Sequence, residues 1–150
     1  MSAVAEIISH QVAPITRAQV ERLQVELAKL PQYEPITRHY FCGGMYMREV
    51  WRDAGVLVVG KVHKKPHFYT IVSGTVRIDG GEPITGPVTF ACEPGTKRAV
   101  LSLTPAMCIT VHKTDATTVD EAEAELVEDD QTSTYSAGNL IKAKPQEVLS

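Results

Sequence analysis

Two absences in the sequence narrow its class. The three cysteines, Cys42, Cys92 and Cys108, are odd in number and never form a C-x-x-C pair, which argues against both a disulfide framework and a thiolate zinc site. No run of about 18 apolar residues is present, and Met1–His10 lacks a basic segment followed by a long apolar one. We therefore expect neither a membrane span nor a secretory signal, reduced cysteines, and a cytoplasmic protein without a membrane partner.

Acidic residues are scarce in the middle of the chain. Arg38–Lys113 carries ten basic and five acidic side chains, whereas Thr114–Ser150 carries two basic and nine acidic ones. A basic middle in a net acidic protein favours a localised anion site, because binding to a nucleic-acid duplex needs a broad basic face. On charge alone, an acidic end that only keeps the protein in solution explains the pattern equally well.

Capping and periodicity predict one helix before the middle of the chain and one after it. The first begins with a capping box of Thr16 and Gln19, and apolar residues follow from Val20 at helical spacing. The second begins with a capping box of Thr118 and Glu121, and its first turn is acidic, which suits the helix dipole. Both helices are amphipathic, so we expect each to cover an apolar surface.

From Tyr40 to His112, runs rich in Val, Ile, Thr, Tyr and Phe alternate with turn signals about every eight to twelve residues. This pattern predicts an antiparallel β-sandwich or barrel. The strand Val56–Gly60 is apolar on both faces, so we expect the first helix or a second subunit to cover one face. The last segment is polar and poor in aromatics; we expect it to dock at most locally, at Leu140–Ile141, and its removal to change stability little. The predicted division is an N-terminal extension (1–15), a helix and linker (16–37), a β domain (38–113), an acidic helix (114–130) and a flexible tail (131–150).

Two histidines flank a short turn in the middle of the chain. If Lys64–Pro66 forms a turn between two strands, His63 and His67 become cross-strand neighbours with Cβ atoms about 4.5–5.5 Å apart. Strand alternation then places Lys61 and Tyr69 on the same face as the two histidines. Imidazoles at this separation can share a ligand, although an ordinary core or surface role explains a single strand histidine.

A second turn signal, Thr104-Pro105, predicts a hairpin between Arg98–Leu103 and Ala106–His112. This hairpin would pair Lys97 with His112 and place Arg98 beside Val111 or His112. Basic and imidazole groups would then meet at its open end. The candidate ligand-binding residues are Lys61, His63, His67, Tyr69, Lys97, Arg98 and His112.

Two stretches resemble the motifs of the cupin superfamily. Gly60–Gly74 resembles the first cupin motif, and Glu93–Arg98 resembles the second, P-x-G-x-x-H. The resemblance implies a mainly β protein: a cupin-like antiparallel β-sandwich, or jelly-roll barrel, flanked by the N-terminal helix and the short acidic C-terminal helix. It also implies a homodimer, as is common among cupins.

A closer resemblance, over roughly residues 18–126, is to uncharacterised cupin-like proteins of tailed bacteriophages and prophages, and it implies a place in the host-cell cytoplasm. The segments that carry it are Thr37–Phe41, Gly44–Glu49, Val59–Lys64, Pro94–Ala99 and Thr110–His112.

The chain departs from the enzyme-type cupin pattern at the metal ligands. The four usual ligand positions fall at Lys61, His63, His67 and Arg98, and only His63 is the usual residue there. Lysine and arginine at two ligand positions would repel a divalent cation. A rearranged site of His63, His67 and His112 stays open, because three imidazoles can hold Zn or another divalent metal such as Fe, Mn or Ni.

The sequence leaves three functions open. The first is binding of a small anionic molecule in the barrel, such as a nucleotide-like metabolite or a host signal that the protein would sequester. In that case Lys61, Lys97 and Arg98 supply positive charge and Tyr69 stacks on the ligand. The second is a metal-dependent cupin enzyme with the three-histidine site and Lys61 or Tyr69 as acid or base. The third is an accessory protein of phage virions or their assembly. None of them involves duplex nucleic acid.

Overall fold

A computed structural model describes residues 16–130 and 133–141, so the predicted N-terminal extension (1–15) and residues 142–150 of the predicted tail lie outside the described residues. The described chain has two α-helices, α1 (Arg17–Leu27) and α2 (Val119–Leu126), and a 3-10 turn at Ala137–Asn139. The strands are β1 (Ile36–Cys42), β2 (Met45–Arg52), β3 (Leu57–Val59), β4 (His67–Ser73), β5 (Thr75–Ile78), β6 (Ile84–Thr85), β7 (Val88–Cys92), β8 (Ala99–Ser102) and β9 (Ala106–Lys113).

The strands form two antiparallel sheets. One has the order β1-β2-β9-β4-β7 and the other the order β3-β8-β5-β6. Most connections cross from one sheet to the other, and the strand order is that of a jelly roll. The predicted mainly β sandwich with flanking helices is confirmed. Among the described residues, no helix has the length and apolarity that crossing a bilayer requires.

The two predicted helices form where the capping residues place them. In α1 the Gln19 amide donates to Thr16 Oγ1 at 3.2 Å, and the helix packs Val20 and Leu23 against Val59. The first helix therefore covers one face of the apolar strand β3. In α2 the Glu121 amide donates to the Thr118 hydroxyl, and its buried residues pack with the five-stranded sheet at Tyr46.

The predicted hairpin across Thr104-Pro105 is wrong. β8 pairs with β3 and β5, whereas β9 pairs with β2 and β4, so this turn carries the chain from one sheet to the other. Local turn residues are the same for a hairpin and for a crossing connection, which is why the sequence signal misled. As a result, Lys97 does not meet His112; its ammonium group pairs with Asp130 at 2.9 Å.

Residues 133–141, which we call the strap, lie against the sandwich. The Tyr135 side chain is 8% exposed, and its hydroxyl donates to the Tyr33 carbonyl at 2.6 Å. Tyr135 also forms a backbone bridge with Ile141. The structure therefore differs from the expected loose tail over this segment. The main anchor is Tyr135, because Leu140 stays 56% exposed.

Candidate functional site

Three buried histidines meet inside the sandwich. His67 begins β4 and His112 lies near the end of β9, its neighbour in the five-stranded sheet, while His63 comes from the connection that precedes β4. The ring centroids are 4.2 Å apart for His63 and His67, 4.7 Å for His67 and His112, and 5.0 Å for His63 and His112. One nitrogen from each ring lies within 4.8 Å of the other two. The described chain therefore holds a compact set of three potential metal ligands.

The backbone brings His63 to this set by a route that the sequence did not predict. Lys64–Pro66 does not join two paired strands: the His63 amide donates to the Thr96 carbonyl at 3.1 Å, and His63 forms an isolated bridge with Val127. The expected facing of His63 and His67 is nevertheless present. It results from the position of His63 between β8 and the end of α2 rather than from a two-stranded turn.

The hydrogen bond of His67 fixes which of its nitrogens carries the proton. Its Nδ1 lies 3.0 Å from the Lys65 carbonyl oxygen, and because a carbonyl only accepts, Nδ1 is the donor. This leaves a lone pair on Nε2, which is buried and has no hydrogen-bond partner among the described residues. Metal-binding histidines characteristically donate their other nitrogen to a carbonyl or carboxylate in this way. The arrangement at His67 therefore fits a metal ligand.

Burial keeps the cluster neutral. It lowers the pKa of His63 to about 2, with further lowering by Arg48 and by the other two histidines. Burial likewise lowers the pKa of His112 to about 3, and it lowers the pKa of His67 as well. His63 Nδ1 and His112 Nε2 share one hydrogen bond of 3.0 Å. All three rings are thus neutral near pH 7, which is the form of imidazole that binds metals.

A cavity of about 60 Å³ lies between the sheets beside this cluster, with His63 in its wall. Four cationic side chains also line it: Arg48, Arg52, Lys61 and Arg98. No described residue that lines it carries a carboxylate. Glu123, in a smaller neighbouring cavity, balances part of this charge and lies 3.5 Å from Arg48 and 3.9 Å from Lys61.

Six of the seven residues that the sequence proposed lie at the cluster or the cavity. The three histidines form the cluster, and Lys61, Tyr69 and Arg98 line the cavity. The guanidinium carbon of Arg98 lies 4.9 Å from the centroid of the Tyr69 ring, and Nη2 donates to Cys92 Sγ at 2.6 Å. The exception is Lys97, which its ion pair with Asp130 directs elsewhere.

Sequence reasoning missed Arg48 and Arg52. Both lie on β2, an even number of residues from Tyr46 and Val50, which are buried, so the two arginines share the inward face with them. Apolar side chains occupy the other face of β2 too, as at Trp51, and the strand therefore shows no clear apolar side. The sequence feature that could have identified them is two arginines four residues apart, each two residues from Val50 and therefore on the same face of the strand.

The cysteines are free thiols, as expected. Cys92 and Cys108 are buried and Cys42 is exposed. Cys92 accepts the hydrogen bond from Arg98 and Cys108 lines the cavity. None of the three belongs to the histidine cluster.

The sequence matches no protein-family profile and no curated protein. Among solved structures, the chain is similar to an acetylacetone dioxygenase from Acinetobacter johnsonii, at 11% identity and a TM-score of 0.44; 51% of this chain aligns, and it spans 58% of the dioxygenase. It is also similar to KdgF from Halomonas sp., at 13% identity, a TM-score of 0.47, and coverage of 57% of this chain and 84% of that one. A third similar structure is the Cupin_2 domain of an XRE family transcriptional regulator from Enterobacter cloacae, at 12% identity, a TM-score of 0.44, and coverage of 53% and 95%. Since all three scores are below 0.5, the jelly-roll assignment rests on the strand order of this chain.

Proposed function

We propose that this protein binds a divalent transition metal through His63, His67 and His112. The observation that carries the proposal is the buried Nε2 of His67, which has no hydrogen-bond partner within the described part of the chain and whose lone pair lies beside two other neutral imidazoles. Three nitrogen ligands suit Zn²⁺ or another borderline metal and leave a coordination position open. A metal bound there would act as a Lewis acid toward a molecule in that position.

The surrounding residues support the cluster in distinct ways. The Lys65 carbonyl fixes the ring orientation of His67, and the hydrogen bond between His63 Nδ1 and His112 Nε2 holds these two rings together until a metal at either nitrogen replaces it. Burial removes water that would compete for the nitrogens. Arg48 and Arg98 oppose a positive charge at His63, since both lower its pKa. A dication there would therefore bind more tightly with an anion nearby.

Metal analysis tests this proposal directly. Protein purified without a histidine tag is stripped with a chelator, and Zn²⁺ binding is measured by calorimetric titration. We expect the wild type to bind one equivalent of Zn²⁺. The affinity of His63→Ala and of His112→Ala should fall by at least about 10–100-fold, because this is the loss when only a residue that hydrogen-bonds to a metal ligand is changed. His39→Ala is the control, because His39 bonds to Tyr46 and lies outside the cluster. The proposal is refuted if the stripped wild type binds no Zn²⁺, or if His112→Ala binds Zn²⁺ with the wild-type affinity.

A second candidate function is the binding of a small anionic molecule in the cavity. The four cations in its wall, without a carboxylate among the described lining residues, favour it. In this proposal Lys61 and Arg98 supply positive charge and Tyr69 lines the cavity, while Lys97 takes no part. The two functions are compatible, because His63 belongs to both sites. The homodimer, the cytoplasmic location, the phage resemblance and the virion role stay predictions from the sequence.

A further inference from the structure

We propose that Arg52 anchors an anion site at the cavity and that this site takes a carboxylate or inorganic oxyanion of about five non-hydrogen atoms. The inference deepens the second candidate function and rests on it. It names the anchoring residue, which the sequence did not reveal, and it limits the size of the ligand.

The first reason is the unsatisfied guanidinium of Arg52. Its Nε and Nη1 are buried and have no hydrogen-bond partner among the described residues. Arginine stays protonated in proteins, so it cannot relieve burial by losing its charge. Unpaired buried charges are costly, and a bound anion that accepts from either Nε or Nη1, whose N–H bonds point in different directions, would reduce that cost.

The second reason is the neutrality of the side chains around Arg52. The groups that interact with it are the hydroxyl of Tyr69, the thiol of Cys108 and the hydroxyl of Tyr135. The Tyr69 hydroxyl faces both Arg52 and Cys108, but it makes no hydrogen bond of standard geometry with any described residue. No ion pair of Arg52 occurs within residues 16–130 and 133–141. One guanidinium and one hydroxyl in the wall of the same cavity are therefore available as donors to a bound anion.

The third reason is size. One water molecule needs about 10–15 Å³ of cavity volume. The cavity of about 60 Å³ therefore holds roughly four to six non-hydrogen atoms. Acetate, bicarbonate and phosphate are of this size, formate is one atom smaller, and a nucleotide is several times larger. The volume therefore disfavours the nucleotide-like ligand that the sequence suggested. Planar carboxylate and tetrahedral phosphate both match the fork of an arginine.

The test uses metal-free protein and four probes: formate, acetate, inorganic phosphate and adenosine monophosphate. Affinity is measured by calorimetric titration and by the shift in Tm that each probe causes. We expect at least one small anion to bind and raise Tm, and adenosine monophosphate to have no effect beyond that of its ionic strength. Arg52→Met should weaken binding of the small anion by about 10–100-fold, the range for charge-assisted hydrogen bonds.

Two further variants separate the anchoring role from general charge and from folding. Arg38→Met removes an arginine on the outer face, 65% exposed and 3.9 Å from Glu49, and should leave binding unchanged. Arg52→Lys keeps the charge but loses the fork, so it should bind more weakly than the wild type even if Arg52→Met fails to fold.

The outcomes distinguish the inference from the function on which it rests. If no anion of any size binds, the second candidate function is refuted together with the inference. If anions bind but Arg52→Met and Arg52→Lys retain the wild-type affinity, or if only adenosine monophosphate binds, the anchoring role and the size limit are wrong while anion binding stands.

Discussion

At the scale of single residues, the buried neutral histidines couple stability to pH. The folded pKa values of His63 and His112, about 2 and about 3, lie below the ordinary value of 6.5. Between the folded pKa values and the ordinary value, these histidines are protonated in the unfolded chain but not in the folded chain. The stabilising contribution is thus complete above about pH 6.5 and is lost as the pH falls, by up to about 1.4 kcal/mol per pH unit for each histidine.

We therefore expect the free energy of unfolding of metal-free protein to decrease between pH 7 and pH 5. Urea denaturation at several pH values measures it. In His112→Asn one of these histidines is absent, so the decrease should be shallower, although the variant is less stable at pH 7 because its bond to His63 is lost. Parallel curves for the two proteins would contradict the assigned protonation states.

Gly74 illustrates a position where a residue is fixed by its surroundings. It joins β4 to β5 with φ at +87°, and a Cβ atom there would lie 2.2 Å from the Pro105 carbonyl oxygen. Gly74→Ala should therefore lower the free energy of unfolding by well over the ~1–2 kcal/mol that an alanine in the left-handed conformation costs, and urea denaturation measures this loss. Gly43 also has a positive φ, +55°, but nothing lies within 4 Å of its added Cβ. Gly43→Ala is the control and should lower the free energy of unfolding only by the cost of a left-handed alanine. Equal losses of stability in the two variants would argue against the close approach at Gly74.

At the scale of elements, the strap contributes to the sandwich despite its polar sequence. Tyr135 is a buried aromatic side chain of the strap, and Asn139 lines the cavity. We expect Tyr135→Ala to lower the free energy of unfolding by about 3 kcal/mol, which is typical of a buried aromatic side chain. Leu140→Ala, at a position 56% exposed, should change it by less than about 0.5 kcal/mol. If both variants match the wild type in thermal denaturation, the strap is as loose as the sequence suggested.

Sequence patterns predicted individual elements better than the contacts between elements. The capping boxes at Thr16 and Thr118 located both helices because capping is a local interaction. The facing of His63 and His67 was also close to local. The sequence did not indicate which face of β2 points inward, because both of its faces carry apolar residues. Only pairing with β9 decides this orientation.

At the scale of the whole molecule, turn spacing predicted the sandwich but not which strands share a sheet. Ser102 and Ala106 lie close together in the sequence, yet their strands belong to opposite sheets. The cavity depends on this crossing, since Arg98 lies before one strand and Thr110 within the other. Its cationic lining could be predicted only in part for the same reason.

The metal ligands and the cationic cavity share His63, so the two sites should influence each other. An anion in the cavity reduces the repulsion that Arg48 and Arg98 exert on a cation at His63. We expect acetate to tighten Zn²⁺ binding by about 5–150-fold, the usual range of such coupling. By thermodynamic reciprocity Zn²⁺ must tighten acetate binding by the same factor. Paired calorimetric titrations measure both, and independent affinities would show that the sites do not interact.

The jelly-roll strand order also determines when the histidine cluster forms. His112 reaches His67 only after β9 has paired with β4, across most of the domain, and such long-range pairings form slowly. A bound metal should therefore act mainly after the folding barrier: we expect Zn²⁺ to slow unfolding and to leave the refolding rate nearly unchanged. Stopped-flow denaturation with and without Zn²⁺ measures both rates. For a protein built this way, the metal would extend the lifetime of the folded chain without guiding the chain to its fold.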